Sequence, residues 1–105
     1  MKNLADIMKQ AQQLQSRMQD LQTELESAEV EGRAGGGLVS VVMSGKGEVK
    51  KVSIDPSLMK DDEREILEDL IVAASADAKT KAEALAAEKM KSITGGMPLP
   101  PGLGL

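Results

Sequence analysis

At 105 residues the chain fits one domain, and it carries a formal charge of -4 with an isoelectric point near 4.8, so any contact with a polyanion has to come from a local basic patch. It holds no Cys and no His, which excludes disulfides, thiolate nucleophiles, Cys- or His-ligated metal and the commonest general base. The absence of Phe, Tyr and Trp removes the stacking platforms of single-strand nucleic-acid readers and leaves a thin aliphatic core, so a second copy of the chain is expected to add burial.

From Leu4 the apolar positions run Leu4, Ile7, Ala11, Leu14, Met18, Leu21, Leu25 and Ala28. These alternating steps of three and four predict an amphipathic helix over about 3–28, roughly 40 Å long. The remainder of one chain is too small to cover such a stripe along its whole length. Its own domain and a partner helix both remain candidates for the covering surface. After Val30 the composition shifts to Gly32-Arg33-Ala34-Gly35-Gly36-Gly37, where the helix has to stop. Leu38-Val39-Ser40-Val41-Val42-Met43-Ser44 then reads as a strand, Gly45-Lys46-Gly47 as a tight turn, and Glu48-Val49-Lys50-Lys51-Val52-Ser53-Ile54 as a second strand with Val52 and Ile54 on one face. A shorter strand over 30–34 completes a three-stranded antiparallel meander.

Asp55-Pro56-Ser57-Leu58-Met59 reads as a turn, because proline cannot donate to a ladder. A helix is expected from Asp61 or Asp62, with Asp62 and Glu65 at capping-box spacing. Leu67, Ile71, Ala74, Ala78, Ala82 and Leu85 keep one face of it, whose alanines allow another backbone to come close, and the periodicity extends to Ile93. Gly95-Gly96 ends the helix, and the Pro- and Gly-rich stretch beyond predicts an extended tail. The division is thus one domain over 1–94 and a tail over 95–105.

The acidic run Asp61, Asp62, Glu63, Glu65, Glu68, Asp69 lacks the alternating ligands and central Gly of a calcium loop, and helix capping explains it. Gly35-Gly36-Gly37 leads into a strand and lacks the Lys and hydroxyl that end a phosphate-binding loop. No convergent catalytic constellation is visible, so the chain is expected to be no enzyme and to need no cofactor, metal or small-molecule substrate. No segment has the layout of a signal peptide or the length of a membrane span, which points to the cytoplasm and to no membrane partner.

The basic residues are placed unevenly. With Leu4 at heptad position a, Lys2 and Lys9 fall at f and Arg17 at g, away from or flanking the apolar seam. Residues 1–19 carry these three against Asp6 alone, whereas Asp20, Glu24, Glu26, Glu29 and Glu31 make the following stretch acidic. Lys79, Lys81, Lys89 and Lys91 give the last helix a basic tilt, although a 100° step spreads them round its circumference. In a dimer, two basic helix ends held at a fixed separation can grip one duplex from both sides.

Taken in order, five stretches resemble the YbaB/EbfC family of nucleoid-associated proteins: residues 4–15 (LADIMKQAQQLQ), Gly35-Gly36-Gly37-Leu38-Val39, Val52-Ser53-Ile54-Asp55-Pro56-Ser57-Leu58, residues 65–73 (EILEDLIVA), and Met97-Pro98-Leu99-Pro100-Pro101-Gly102. The resemblance covers nearly the whole chain. It implies an α+β fold with a long N-terminal helix, a three-stranded antiparallel sheet and C-terminal helices. It further implies a tweezer-like homodimer that binds duplex DNA in the nucleoid, organising it or influencing transcription. Many relatives carry a Met/Phe/Gly-rich lead before the first helix that is lacking here. Lys9 is the site residue that the resemblance matches most clearly, while Lys2, Arg17, Lys79, Lys81, Lys89 and Lys91 are candidates from charge placement. The expected dimer interface is Leu38, Val39, Val41, Met43, Val52 and Ile54, with Val41 on an exposed sheet face. A coiled-coil interaction module or prefoldin-like holdase without a DNA role fits the same heptads.

Overall fold

The computed structural model describes residues 3–94, and its first helix covers Leu4–Ser27 (α1). Asn3 starts it, its side-chain oxygen accepting the Asp6 backbone N–H at 2.9 Å and so satisfying one of the four N–H groups that a helix start leaves unpaired. Ala28 turns to extended backbone, with its N–H donating back to Glu24 at 2.8 Å. The chain then enters the meander of Glu29–Ala34 (β1), Val39–Ser44 (β2) and Val49–Ile54 (β3), ordered β1-β2-β3 with both pairings antiparallel. The strand expected over 30–34 is therefore present, and it begins at Glu29.

Gly35, Gly36 and Gly37 all have positive φ, between 65 and 97°. A side chain disfavours that backbone region, so the three glycines make a left-handed turn that delivers β2 beside β1. Between β2 and β3, Gly47 turns at φ 89°, and the buried Ser44 hydroxyl oxygen accepts the N–H groups of Lys46 and Glu48, each at 3.2 Å. Ser44 is thus satisfied internally despite being 1% exposed.

Beyond β3 the Asp55 carboxylate accepts the Ser57 N–H at 2.9 Å and holds a short helical turn with Pro56 in its first position. That backbone hydrogen bond, with one from the Ser57 side chain, keeps the Asp55 carboxyl below its ordinary value. A second short turn, Asp61–Glu63, leads into Arg64–Thr94 (α2). The helix whose periodicity extends to Ile93 is present, and the expected capping box is corrected. The C-terminal helices are one continuous helix of 31 residues, because its alanine-rich sequence contains no Gly or Pro to break it. The Asp62–Glu65 capping box does not form: Lys60 occupies the cap position of the entering turn without a side-chain hydrogen bond.

The architecture has two layers. Cross-strand partners share a face, so the register places Val30, Gly32, Ala34, Val39, Val41, Met43, Val49, Val52 and Ile54 on one side of the sheet. α2 lies along that side over β1 and β2. Val39, Val41, Met43, Leu58, Ala74 and Ala78 form the core, with Leu67, Leu70 and Ile71 packed against it. At Gly32 the approach is backbone to backbone: a Cβ there would lie 2.2 Å from the Ala74 carbonyl oxygen and 2.3 Å from the Ala78 nitrogen. The alanine face of α2 is spent inside the chain. The opposite sheet face carries Glu31, Arg33, Ser40, Val42, Lys51 and Ser53 and is largely polar.

α1 is attached only by its end. Gly45 donates its N–H to the Leu25 carbonyl at 2.8 Å, and Leu25 packs so closely on it that an added Cβ would lie 2.8 Å from Leu25 Cδ2. Leu21 and Leu25 are buried, whereas Leu4, Ile7, Met8 and Leu14 are 53–71% exposed. Leu25→Ala is expected to lower stability by about 2–5 kcal/mol through lost burial and a residual cavity. Ile7→Ala should change it by less than about 0.5 kcal/mol. Urea titrations followed by far-ultraviolet circular dichroism compare the two.

Candidate nucleic-acid interface

The projecting half of α1 is an arm with two unlike sides. Its exposed apolar stripe, Leu4, Ile7 and Leu14, follows the heptad seam, while Lys9 and Arg17 lie on the remaining circumference. Eight residues separate these cations, which places them about 12 Å apart along the axis and about 80° apart around it. Both are exposed, and no ion pair holds either of them among the described residues. Arg17 also borders a groove between the arm and the end of α2, lined by Asp20, Leu21, Glu24, Lys89, Ser92 and Ile93. The two helices run antiparallel there.

The structure separates the other expected basic contacts. Lys2 lies outside the described residues. Lys79 is exposed at a second groove, beside Gln22, Leu25 and the Gly45–Gly47 turn, and has no ion pair there. Lys89 is paired with Glu24 at 3.2 Å and joins α2 to α1. Lys81 donates to the Glu31 carbonyl at 2.8 Å and pairs with Asp77 at 3.2 Å, which joins α2 to β1. Lys91 is exposed in the last turns of α2. The expected DNA-contacting set therefore contains side chains in different situations: Lys9 and Arg17 on the arm, Lys79 near its root, and Lys81 and Lys89 as ties between elements.

Asp77 was not singled out from the sequence, yet it holds this join. Its carboxylate accepts the Arg33 backbone N–H at 3.0 Å. That bond, followed by the Lys81 hydrogen bond, holds its carboxyl below the ordinary value against a smaller opposing effect of desolvation. A carboxyl lowered by folding binds its proton more weakly in the native chain than in the unfolded one. Its stabilisation is full above the unfolded value near 3.9 and is lost as pH falls through the lowered native value. Asp77→Asn keeps an acceptor for Arg33 but cannot titrate, so its stability is expected to fall less steeply than wild type below about pH 4. Urea midpoints measured across that range provide the comparison.

The residues expected to meet a second copy also divide. Val39, Val41 and Met43 are 0, 0 and 5% exposed beneath α2, which corrects the expectation that Val41 lies on an exposed face: over β2 the apolar side of the sheet is covered by α2. Val52 and Leu38 remain 42 and 36% exposed, and Ile54 is half-buried. Val49, 55% exposed, extends the same side of β3. Among the described residues no group of three or more acidic side chains gathers to hold a metal ion, and no helix is long and apolar enough to cross a membrane.

Comparison with known proteins agrees with this architecture. A nucleoid-associated protein of Nitrobacter hamburgensis is 63% identical over 105 residues, covering 100% of this chain and 99% of its own. One from Rhodopseudomonas palustris is 62% identical with the same coverage, and one from Agrobacterium fabrum is 55% identical, covering 100% of this chain and 98% of its own. The crystal structure of an uncharacterised Helicobacter pylori protein superposes with a TM-score of 0.78 at 21% identity, over 90% of this chain and 100% of that one, which establishes the shared fold. The model of the YbaB/EbfC DNA-binding family matches residues 1–97, and the chain belongs to that family.

Proposed function

We propose that the protein is a nucleoid-associated component of the cytoplasm that binds duplex DNA as a homodimer, without catalysis of its own. The observation that carries this reading is the arm: a helix anchored by Leu21 and Leu25 that carries Lys9 and Arg17 with no ion pair to a carboxylate among the described residues, Lys9 far out on the arm and Arg17 at the edge of the groove that Asp20 and Glu24 also line. A chain of net charge -4 repels a polyanion overall, so its cations are useful to DNA only where they stand clear of its acids. Two arms on one dimer present four such cations, and bivalent attachment strengthens contacts that are weak singly. Contacts of this kind go to phosphates. They select duplex by arm spacing, with little sequence preference, because no side-chain set suited to reading base edges accompanies them.

The names of the relatives support DNA as the partner. Binding of a labelled oligonucleotide duplex over a salt series tests the reading, with the label on the DNA because the protein has no Trp or Tyr. The expected outcome is affinity whose logarithm falls linearly with log salt. No binding at low salt would favour a second reading, a protein-interaction module, for which the exposed Leu4, Ile7, Met8 and Leu14 stripe is the relevant surface.

A further inference from the structure

The apolar stripe of α1 is covered over only part of its length. Leu25 and Leu21 are buried, Met18 is half-buried, and Leu14, Ile7 and Leu4 are exposed. The cover is α2. Leu25 shares a groove with Ala82 and Ala86, and Leu21 shares the next one with Lys89 and Ile93, so α2 advances along the stripe toward the start of α1. It ends at Thr94, about level with Arg17, and the cover ends with it. Leu14, Ala11, Ile7 and Leu4 lie ahead on the same line, over about 20 Å. The heptad flanks of this bare stretch are Asn3, Met8, Gln10 and Gln15, none of them charged. Partner helices are commonly selected by charges at those positions, so an uncharged occupant fits the stripe better.

We infer that residues 95–105 of the same chain strap onto this stripe and continue the cover from the point where α2 stops. The segment begins beside the first uncovered turn of the arm, carries no charged side chain, and supplies Met97, Leu99, Leu103 and Leu105. Its prolines favour the extended polyproline conformation, at about 3.1 Å per residue, so the nine residues after Gly95-Gly96 reach about 28 Å. That exceeds the bare stretch. Two residues of such a strand advance about as far as one turn of helix. Met97 then meets Leu14, Leu99 sits over Ala11, whose small side chain leaves room for it, and Leu103 reaches Leu4. The prolines also lower the entropy lost on docking, because their φ is fixed before contact. An extended strand of this kind has no internal hydrogen bonds, and the amides of Gln10 and Gln15 flank its line. Lys9, on the opposite side of α1, stays uncovered when the strap is closed.

The absence of cysteine from the chain makes cross-linking selective. Ala11→Cys combined with Leu99→Cys is expected to close an intramolecular disulfide under mild oxidation at low protein concentration, read as a faster-running monomer on non-reducing gels. Gln13→Cys with Leu99→Cys should close at least about tenfold more slowly, because position 13 lies about 200° round the helix from position 11. Both helix positions are exposed, so the variants should fold. Amide hydrogen exchange gives a second readout without a cross-link. In full-length Leu99→Ser/Leu103→Ser the amides of Ile7 to Leu14 should exchange at least about tenfold faster than in wild type, with those of β2 unchanged. The strap opens without unfolding the sheet, so exchange is its measure and the urea midpoint is not. Equal closure from positions 11 and 13, or unchanged exchange, overturns the strap and leaves the stripe open to another protein. A disulfide between two chains overturns it too, and assigns the stripe to the tail of a second copy.

Discussion

Gly32→Val is expected to abolish cooperative folding, and Gly32→Ala to destabilise the chain by more than the roughly 1–3 kcal/mol usual for an overpacked core side chain. Two rigid backbones meet at this position. An added Cβ would overlap the Ala74 carbonyl and the Ala78 nitrogen and Cα, at 2.2, 2.3 and 2.8 Å, and none of these atoms can rotate aside as the end of a side chain could. Relief requires lifting α2 from β1. That movement breaks the Arg33–Asp77 and Glu31–Lys81 hydrogen bonds and uncovers Val39 and Val41. Gly36→Ala is the control, because nothing lies within 4 Å of the added methyl and only the positive φ of 69° is strained, at about 1–2 kcal/mol. Urea unfolding followed at 222 nm separates the two sites. Equal losses at both would mean that glycine conformation, and not the crossing of α2, sets the requirement at position 32.

The sequence carried the elements more clearly than the contacts between them. The heptad steps from Leu4 to Ala28 defined α1, and the β-branched runs on either side of Gly45-Lys46-Gly47 defined the hairpin, because both patterns are local. The alanine face of α2 was also legible, including its capacity for close approach, but nothing local identified β1 as the partner or Gly32 as the crossing point. The glycine stood in a Gly-rich stretch whose other members serve a turn. Position 41 shows the same limit. Alternation assigned Val41 to an apolar face, yet whether α2 or a second chain covers that face depends on where residues 64–94 return. Likewise Lys79, Lys81 and Lys89 are alike in sequence. Only the placement of Glu31, Asp77 and Glu24 distinguishes the ties from the cation without an ion pair.

Changing Lys9 and Arg17 together to Gln is expected to remove most of the salt dependence of duplex binding, because these cations act through phosphates and not through the fold. Each phosphate neutralised contributes about 0.9 to the slope of log affinity against log salt. Loss of two cations from each of two arms should therefore reduce that slope by about 3–4, with affinity at low salt falling by more than about tenfold. Both side chains are exposed and lack ion pairs among the described residues, so the urea midpoint should be unchanged, which separates lost contact from lost structure. Lys81→Gln gives the complementary outcome. Its ammonium holds Glu31 and Asp77 at the β1 edge, so stability should fall while the salt slope stays near that of wild type. If instead the arm substitutions leave the slope intact and Lys79→Gln reduces it, the duplex lies against the root of the arms beside the Gly45–Gly47 turn. The arms would then act as supports for the complex and not as its grip.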